Sequence, residues 1–375
     1  MSIYAKKNRG FAIVIITLWL SITVFNWLTP FREFSEAENR MLRTFPQYTS
    51  RRVLEGYYQQ ELNDYTSDQF LGREYWVKAY GWINYSLGVR EINGIYFGQD
   101  AMYKHYFPEN EEISQANAQG LANFVTDTGI PTFLMLVPSS STVMSDRLPA
   151  LAQSWDEYSY IQQFYDSLDE RIQCIDICPI LKDHRNEYIF YRTDHHWTSY
   201  GAFLAYNELA PAMSLEVHTA EQFYITTVSD SFRGTYDSAT LLDIYPDDII
   251  EVFQHGVAAS LNVLGAQPAR YGSIYFDEYL STKDKYSYLL GPLQSVVKIE
   301  TTSQNNRKLL IFKDSYAHCL TPMLLADFSE ILLVDLRYYS AASSYLEDLD
   351  VASYDQALFL YSCDVFAHQR VSAKL

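Results

Sequence analysis

Four short runs in this chain are apolar almost from end to end: PTFLMLVP (131–138), KLLIFK (308–313), EILLVDL (330–336) and ALFLYS (357–362). A strand with one face in water alternates apolar and polar residues. A run without that alternation has to be covered on both faces, as in a parallel sheet between two helical layers. Segments of helical character separate these runs. ISQANAQGLANFVTDTG is closed by Gly129, and residues 151–170 follow the first strand. TSYGAFLAYNELAPAM (198–213) has Thr198 or Ser199 as its N-cap, and residues 315–328 and 341–348 complete the series. CIDIC (174–178) reads as one more strand. The expected class is α/β, a three-layer domain with a parallel sheet.

Two regions break the rhythm. INGIYFGQDAMYK (92–104) reads as a hairpin about GQD, and residues 215–305, rich in Tyr, Thr and Ser, lack helical periodicity and read as a β-rich insertion. At the start, Lys6, Lys7 and Arg9 precede eighteen uncharged residues, FAIVIITLWLSITVFNWL (11–28). As a helix they would span about 27 Å, near the hydrocarbon thickness of a bilayer. Trp27 sits at the exit, Pro30 stops the helix, and no A-x-A-like cleavage site follows. The positive flank predicts a cytoplasmic tail (1–10), a single-pass anchor (11–28), a helical juxtamembrane segment (29–90) and an extracytoplasmic domain (91–375).

The charge balance follows from that division. The chain has 28 Lys+Arg against 46 Asp+Glu; without the three basic residues flanking the anchor, 25 face 46, a net of −21. Such a domain is a poor partner for nucleic acid or anionic surfaces, which call for basic patches. The 32 tyrosines and 21 phenylalanines suit an aromatic core or a glycan-facing surface. Cys174, Cys178, Cys319 and Cys363 are too few for a disulfide framework and lack zinc-ligand spacing, so they read as small buried side chains.

Two motifs carry chemistry. In LLIFKDSYAHCLTPML (309–324), Ser315 lies where an apolar strand gives way to a helix, a place where open α/β sheets put nucleophiles. It is equally a place for a helix cap. In YRTDHHWTSYG (191–201), Asp194 and His196 are two apart and share a side if the segment is extended, with His195 pointing the other way. That pair supplies the base and orienting carboxylate a serine nucleophile requires. Asp194, His195 and His196 could instead be turn residues, or ligate a metal with His184 or His318. Ser238 in TYDSAT is a lesser nucleophile candidate because no apolar strand precedes it.

FSEAENRMLRTFP (34–46), TDHHWTSYGA (193–202), KDSYAHCLTPML (313–324) and LLVDLRYY (332–339), in this order, resemble the DHHW protein family. That family is similar to the SGNH-hydrolase-like alginate O-acetyltransferase proteins of bacterial cell envelopes. The resemblance implies an SGNH-like fold with circularly permuted motif order, because the serine block comes last. It implies Asp194, His196 and Ser315 as the catalytic set, with His195, Trp197 and Asp314 in support. It implies an extracytoplasmic O-acetyltransferase on a cell-envelope or secreted polysaccharide, working without a cofactor and receiving its acyl group through a membrane-bound O-acyltransferase. A carbohydrate acetyl esterase or a non-catalytic glycan-binding protein are the alternatives. Lys313 stands where the relatives' motif has a small residue. Ser139 is the expectation for an oxyanion donor beside the Ser315 backbone, and Arg337 and Tyr338 for substrate contacts; a structural salt bridge is the other reading of Arg337.

Overall fold

The computed structural model describes residues 3–264, 267–338 and 350–375; the helix expected at 341–348 lies outside them. The chain forms two compact units, Met1–Val89 with Ser238–Leu242, and Arg90–Asp237 with Asp243–Leu375.

In the first unit, helix α1 (Ile3–Leu28) is long and apolar enough to cross a membrane. Helices α2 (Tyr57–Asp68) and α3 (Arg73–Ser86) follow. The FSEAENRML stretch is a hairpin pairing Phe34–Ser35 with Arg40–Met41. Buried Asp68 clamps it, accepting two hydrogen bonds from the Arg40 guanidinium (3.0 and 2.6 Å) and one from the Arg43 N–H (2.9 Å).

The second unit is built on one eight-stranded sheet. Its strands are β1 (Thr132–Val137), β2 (Ile172–Cys174), β3 (Ala259–Leu264), β4 (Ala269–Tyr271), β5 (Val296–Thr301), β6 (Lys308–Lys313), β7 (Glu330–Val334) and β8 (Gln356–Ser362). The spatial order is β4-β3-β5-β7-β6-β8-β1-β2. The five strands from β7 to β2 are parallel; β5, β3 and β4 add antiparallel to the β7 side.

Four of the parallel strands, β1, β6, β7 and β8, send alternate residues into two separate cores. Phe133, Met135, Leu309, Ile311, Leu333 and Leu358 share one with helices α6 (Ser199–Ala212) and α7 (Ala317–Leu324). Leu134, Leu136, Leu310, Phe312, Leu332 and Phe359 share the other with α4 (Glu111–Thr128), α5 (Glu157–Asp166) and α8 (Cys363–His368). Burial on both faces is why these strands show no polar alternation. The expected α/β/α layering is present.

Three expectations are corrected. The sheet is mixed, because the second half of the supposed insertion supplies β3, β4 and β5. Among the described residues of that region, the hairpin Tyr224–Phe232/Asp248–Gln254 stands outside the sheet. β3 is fully buried only at alternate positions near its end, the pattern of a strand covered on one side. CIDIC is not one strand: β2 stops at Cys174, and Pro179 helps open a helix at Cys178–Asp183. The 151–170 helix shortens to α5, N-capped by Asp156 through the Ser159 N–H. All four cysteines are free thiols, and three of them are buried.

Because β1, β2, β6, β7 and β8 are parallel, their carboxyl ends share one edge, where Ser139, Ser315 and Arg337 follow their strands. Ser139 donates its N–H to the Glu157 carboxylate at 2.6 Å. Glu157 is buried, and burial pushes its pKa up to about 7. An acid whose folded pKa exceeds its unfolded value stabilises the fold fully below the unfolded value and loses that contribution as pH rises through the folded one. Stability should therefore fall between about pH 4.5 and pH 7, by roughly 3 kcal/mol from this group. Glu157→Gln keeps an acceptor for Ser139 and should flatten that decline. Denaturant unfolding of both proteins across this range checks it; parallel pH profiles would contradict it.

Candidate active site

The turn that carries Ser315 is set by Asp314. Its Oδ1 accepts the Tyr316 N–H (3.0 Å), and its Oδ2 accepts the Ser362 N–H (2.8 Å) and hydroxyl (2.7 Å). The Asp314 N–H donates to Leu360 O at 3.2 Å. One buried carboxylate thus ties the end of β6 to the end of β8 and shapes the turn into α7. Ser315 sits on that turn, half-buried, and no described group accepts its N–H.

The TDHHW segment is a closed bend. Phe190 pairs with Trp197, Tyr191 N–H donates to His196 O, and Thr198 N–H donates to Ile189 O. Within it, Asp194 Oδ1 accepts both the His196 backbone N–H (3.0 Å) and the His196 ring at Nδ1 (2.5 Å). The His196 Nε2 lies 2.7 Å from Ser315 Oγ. A carboxylate on Nδ1 fixes the proton there and leaves the Nε2 lone pair for the serine hydroxyl. Asp194, His196 and Ser315, 119 residues apart at the His–Ser step, form one hydrogen-bonded line.

An extended segment would put Asp194 and His196 on one side and turn His195 away. In the bend, His195 instead lies beside His196, ring centroids 3.8 Å apart, with Nδ1 2.9 Å from Thr235 Oγ1. Although 31% of its side chain meets solvent, burial and the adjacent His196 push its pKa down to about 3, against the pull of Asp194. His195 is neutral. For Asp194, burial opposes ionisation. The His195 and His196 rings, with hydrogen bonds from His196 and the Thr235 N–H, outweigh it and hold the carboxyl well below the ordinary range.

Trp197 and Tyr316 lock the two loops together. Trp197 Nε1 donates to Tyr316 O (3.0 Å), and the Tyr316 hydroxyl donates to His195 O. Trp197 is wholly buried.

Several supporting residues escaped the sequence reading. Thr235 N–H donates to Asp194 Oδ2 at 2.7 Å, and a Cβ on Gly234 would fall 2.2 Å from that oxygen. Only glycine leaves room for the carboxylate there. Asp248 holds the base of the bend, accepting from Thr193 N–H (2.9 Å) and hydroxyl (2.5 Å), Arg192 N–H (2.8 Å) and the Tyr188 hydroxyl (2.6 Å). The Tyr286 ring stacks on His196 (3.9 Å, 12°), and its hydroxyl donates to Ser315 O (3.0 Å). Tyr286 is one tyrosine among 32, and nothing in the sequence marks it.

Other candidates fall elsewhere. The Ser139 N–H is committed to Glu157, so it is not available to an oxyanion. Arg337 is held on Asp335 by two hydrogen bonds (2.9 and 2.7 Å), the salt bridge that was the alternative to substrate binding, and its guanidinium lies 5.4 Å from the centre of the exposed Tyr338 ring. Buried Lys313 reaches His318 Nε2 at 3.1 Å, and His184 pairs with Glu187 at 2.8 Å. The Asp194, His195 and His196 donor atoms lie within 4.8 Å of one another, close enough to hold a metal. Both His196 nitrogens, however, are engaged within the line to Ser315.

This arrangement and the sheet beneath it define an SGNH-hydrolase-like α/β domain. Residues 97–246 match the family model described as SGNH hydrolase-like domain, acetyltransferase AlgX. That stretch contains Asp194, His196 and Gly234 and ends before Ser315. Among solved structures, a DHHW family protein from Eubacterium siraeum DSM 15702 is 24% identical with a TM-score of 0.65, over 76% of this chain and 95% of that one. Bacillus cereus PatB1 is 19% identical with a TM-score of 0.63, over 74% of this chain and 98% of that one. A structure of PatB1 with a sulfonyl adduct is similar over 73% of this chain and 99% of that one, at 19% identity and a TM-score of 0.60. No curated protein matches the chain. The resemblance to DHHW and AlgX-type proteins stands.

Gly234→Ala should push Asp194 off His196 while leaving the sheet intact. The expected result is a loss of turnover of an activated acetyl ester by about 100-fold or more, approaching the ~10⁴ typical of a lost orienting carboxylate, with an unchanged circular-dichroism spectrum. Full activity in this variant would contradict the geometry.

Proposed function

We propose that this chain is a membrane-anchored Ser-His-Asp acyl-transfer enzyme, an O-acetyltransferase acting on a cell-envelope or secreted polysaccharide. The observation that carries the reading is the continuous line from Asp194 through His196 to Ser315 Oγ. The matched family model, described as an acetyltransferase, supports transfer of an acetyl group. The apolar helix α1 supports the anchor, and its basic flank supports a domain outside the cytoplasm.

In the proposed cycle, Ser315 Oγ bonds to the acyl carbonyl carbon as its proton passes to His196 Nε2. Asp194, ionised, stabilises the imidazolium and keeps its Nδ1–H oriented. The unpartnered Ser315 N–H donates to the oxyanion. Collapse expels the donor's leaving oxygen, which takes the proton from Nε2 and leaves acyl-Ser315. A sugar hydroxyl then attacks that ester, giving its proton to Nε2. When the second tetrahedral intermediate collapses, the proton returns to Ser315 Oγ and the O-acetylated glycan departs. Every proton in this cycle moves between side chains and substrate. The acyl donor fits a membrane-bound O-acyltransferase, a partner on the same side as the anchor.

Neutral His195 sets no like charge beside the imidazolium that forms on His196.

The test uses the full chain in detergent with an activated aryl acetate. Peptide mass analysis should find one acetyl group on Ser315, none in Ser315→Ala, and labelling slowed by about 100-fold or more in His196→Ala. Added polysaccharide should gain the acetyl group. Equal acetate release from all three proteins would overturn the triad. Release to water alone, with every acceptor glycan untouched, would overturn transfer.

A further inference from the structure

Helix α3 presents its apolar side outward. At about 100° per residue, Trp76, Tyr80, Ile83 and the cap residue Leu87 fall within one narrow stripe. They are 61, 65, 60 and 78% exposed, and Tyr75 and Trp82 flank them on one side. The opposite side carries Gly81, which is buried with room for little more than its own backbone against Leu242, and Glu74, which accepts from the Ser35 hydroxyl at 3.1 Å. Gly81 and the charged Arg73, Glu74 and Lys78 are thus buried or half-buried, whereas four of the five aromatic residues of α3, all but half-buried Tyr85, are exposed, the reverse of a helix packed on a soluble core.

The stripe has a fixed place relative to α1. Asn26 Oδ1, at the end of that helix, accepts the Leu71 N–H at 2.7 Å, and Leu71 O accepts Trp76 Nε1 at 3.2 Å. The first tryptophan of the stripe is therefore two hydrogen bonds from the point where the span would leave the bilayer. Exposed Phe45, Tyr48, Leu54 and Tyr57 belong to the same unit. The charge agrees: residues 29–89 carry seven basic and eight acidic side chains, whereas residues 90–375 carry 18 and 38.

We infer that α3 lies in the lipid headgroup region, its Trp76–Tyr80–Ile83–Leu87 stripe seated on the bilayer beside the exit of α1. The inference rests on the anchor reading of α1. Tryptophan and tyrosine favour this depth because the ring is apolar and the N–H or O–H remains wet. A near-neutral segment with an uncharged outer stripe meets no electrostatic barrier there. A protein partner would also accept such a stripe, but the bilayer is the surface that α1 brings to it. The seated helix would hold the first unit at the membrane surface, where a membrane-embedded acyl donor presents its group.

The test reconstitutes the full chain in phosphatidylethanolamine/phosphatidylglycerol vesicles containing lipids brominated either near the headgroup end of the acyl chain or near its terminus. Bromine quenches nearby tryptophan fluorescence. Wild type is compared with the Trp76→Phe/Trp82→Phe double variant. Quenching by the deep bromines comes from Trp19, mid-span, and should be equal in the two proteins. Quenching by the shallow bromines should fall by about half or more in the variant, since Trp27 remains as the other interfacial tryptophan. Deep quenching in both proteins with shallow quenching unchanged would overturn the inference and leave the anchor standing; the stripe would then be covered by a second copy or another protein. Absence of deep quenching in wild type would overturn the anchor and the inference with it.

Discussion

A single buried oxygen, Asp194 Oδ1, takes two hydrogen bonds from the same residue, the backbone and the ring of His196. The first closes a tight bend and the second fixes which imidazole nitrogen carries the proton. Backbone shape and proton chemistry are therefore one constraint. The surroundings serve it: Thr235 N–H satisfies the other oxygen, Gly234 leaves space for it, and Asp248 pins the two residues before it. Burying a carboxylate this deeply is tolerable because it is hydrogen-bonded and faces the two imidazoles.

The bend means nothing without a serine 2.7 Å away, and that distance is a property of the sheet. β6 lies between β7 and β8, buried on both faces, so the position of its carboxyl end cannot drift. Asp314 then ties that end to Ser362 on β8. Trp197 and Tyr316 cross-link the histidine bend to the serine turn from the far side. A rigid sheet end and two mutually bonded loops are the preorganisation that acyl transfer requires.

Much of this was legible in the residues, for unequal reasons. The uniformly apolar strands announced a doubly covered sheet because burial on both faces leaves a mark on every position. Ser315 was legible because its place depends on the strand before it. Asp194 and His196 were legible as a pair, but by a premise the structure replaces: an Asx-type bend, in which backbone and ring share one carboxylate oxygen, brings them together. The antiparallel additions β3, β4 and β5 were hidden because half-buried strands in a Tyr- and Ser-rich region resemble loop. Gly234, Asp248 and Tyr286 were hidden because their partners are distant in sequence and depend on how the 215–305 region folds back. The alternative reading of Arg337, a salt bridge, is what its two bonds to Asp335 describe.

The central claim is that Asp194, His196 and Ser315 act as one unit. It is tested most directly by measuring kcat for an acetyl ester with Ser315→Ala, His196→Ala and the Asp194→Ala/His196→Ala/Ser315→Ala triple variant. Residues of one catalytic unit are not additive, because losing the nucleophile or its base already removes what the others support. The two single variants should each fall to about the level of the triple variant. Losses that multiply, each substitution costing an independent factor, would contradict the account.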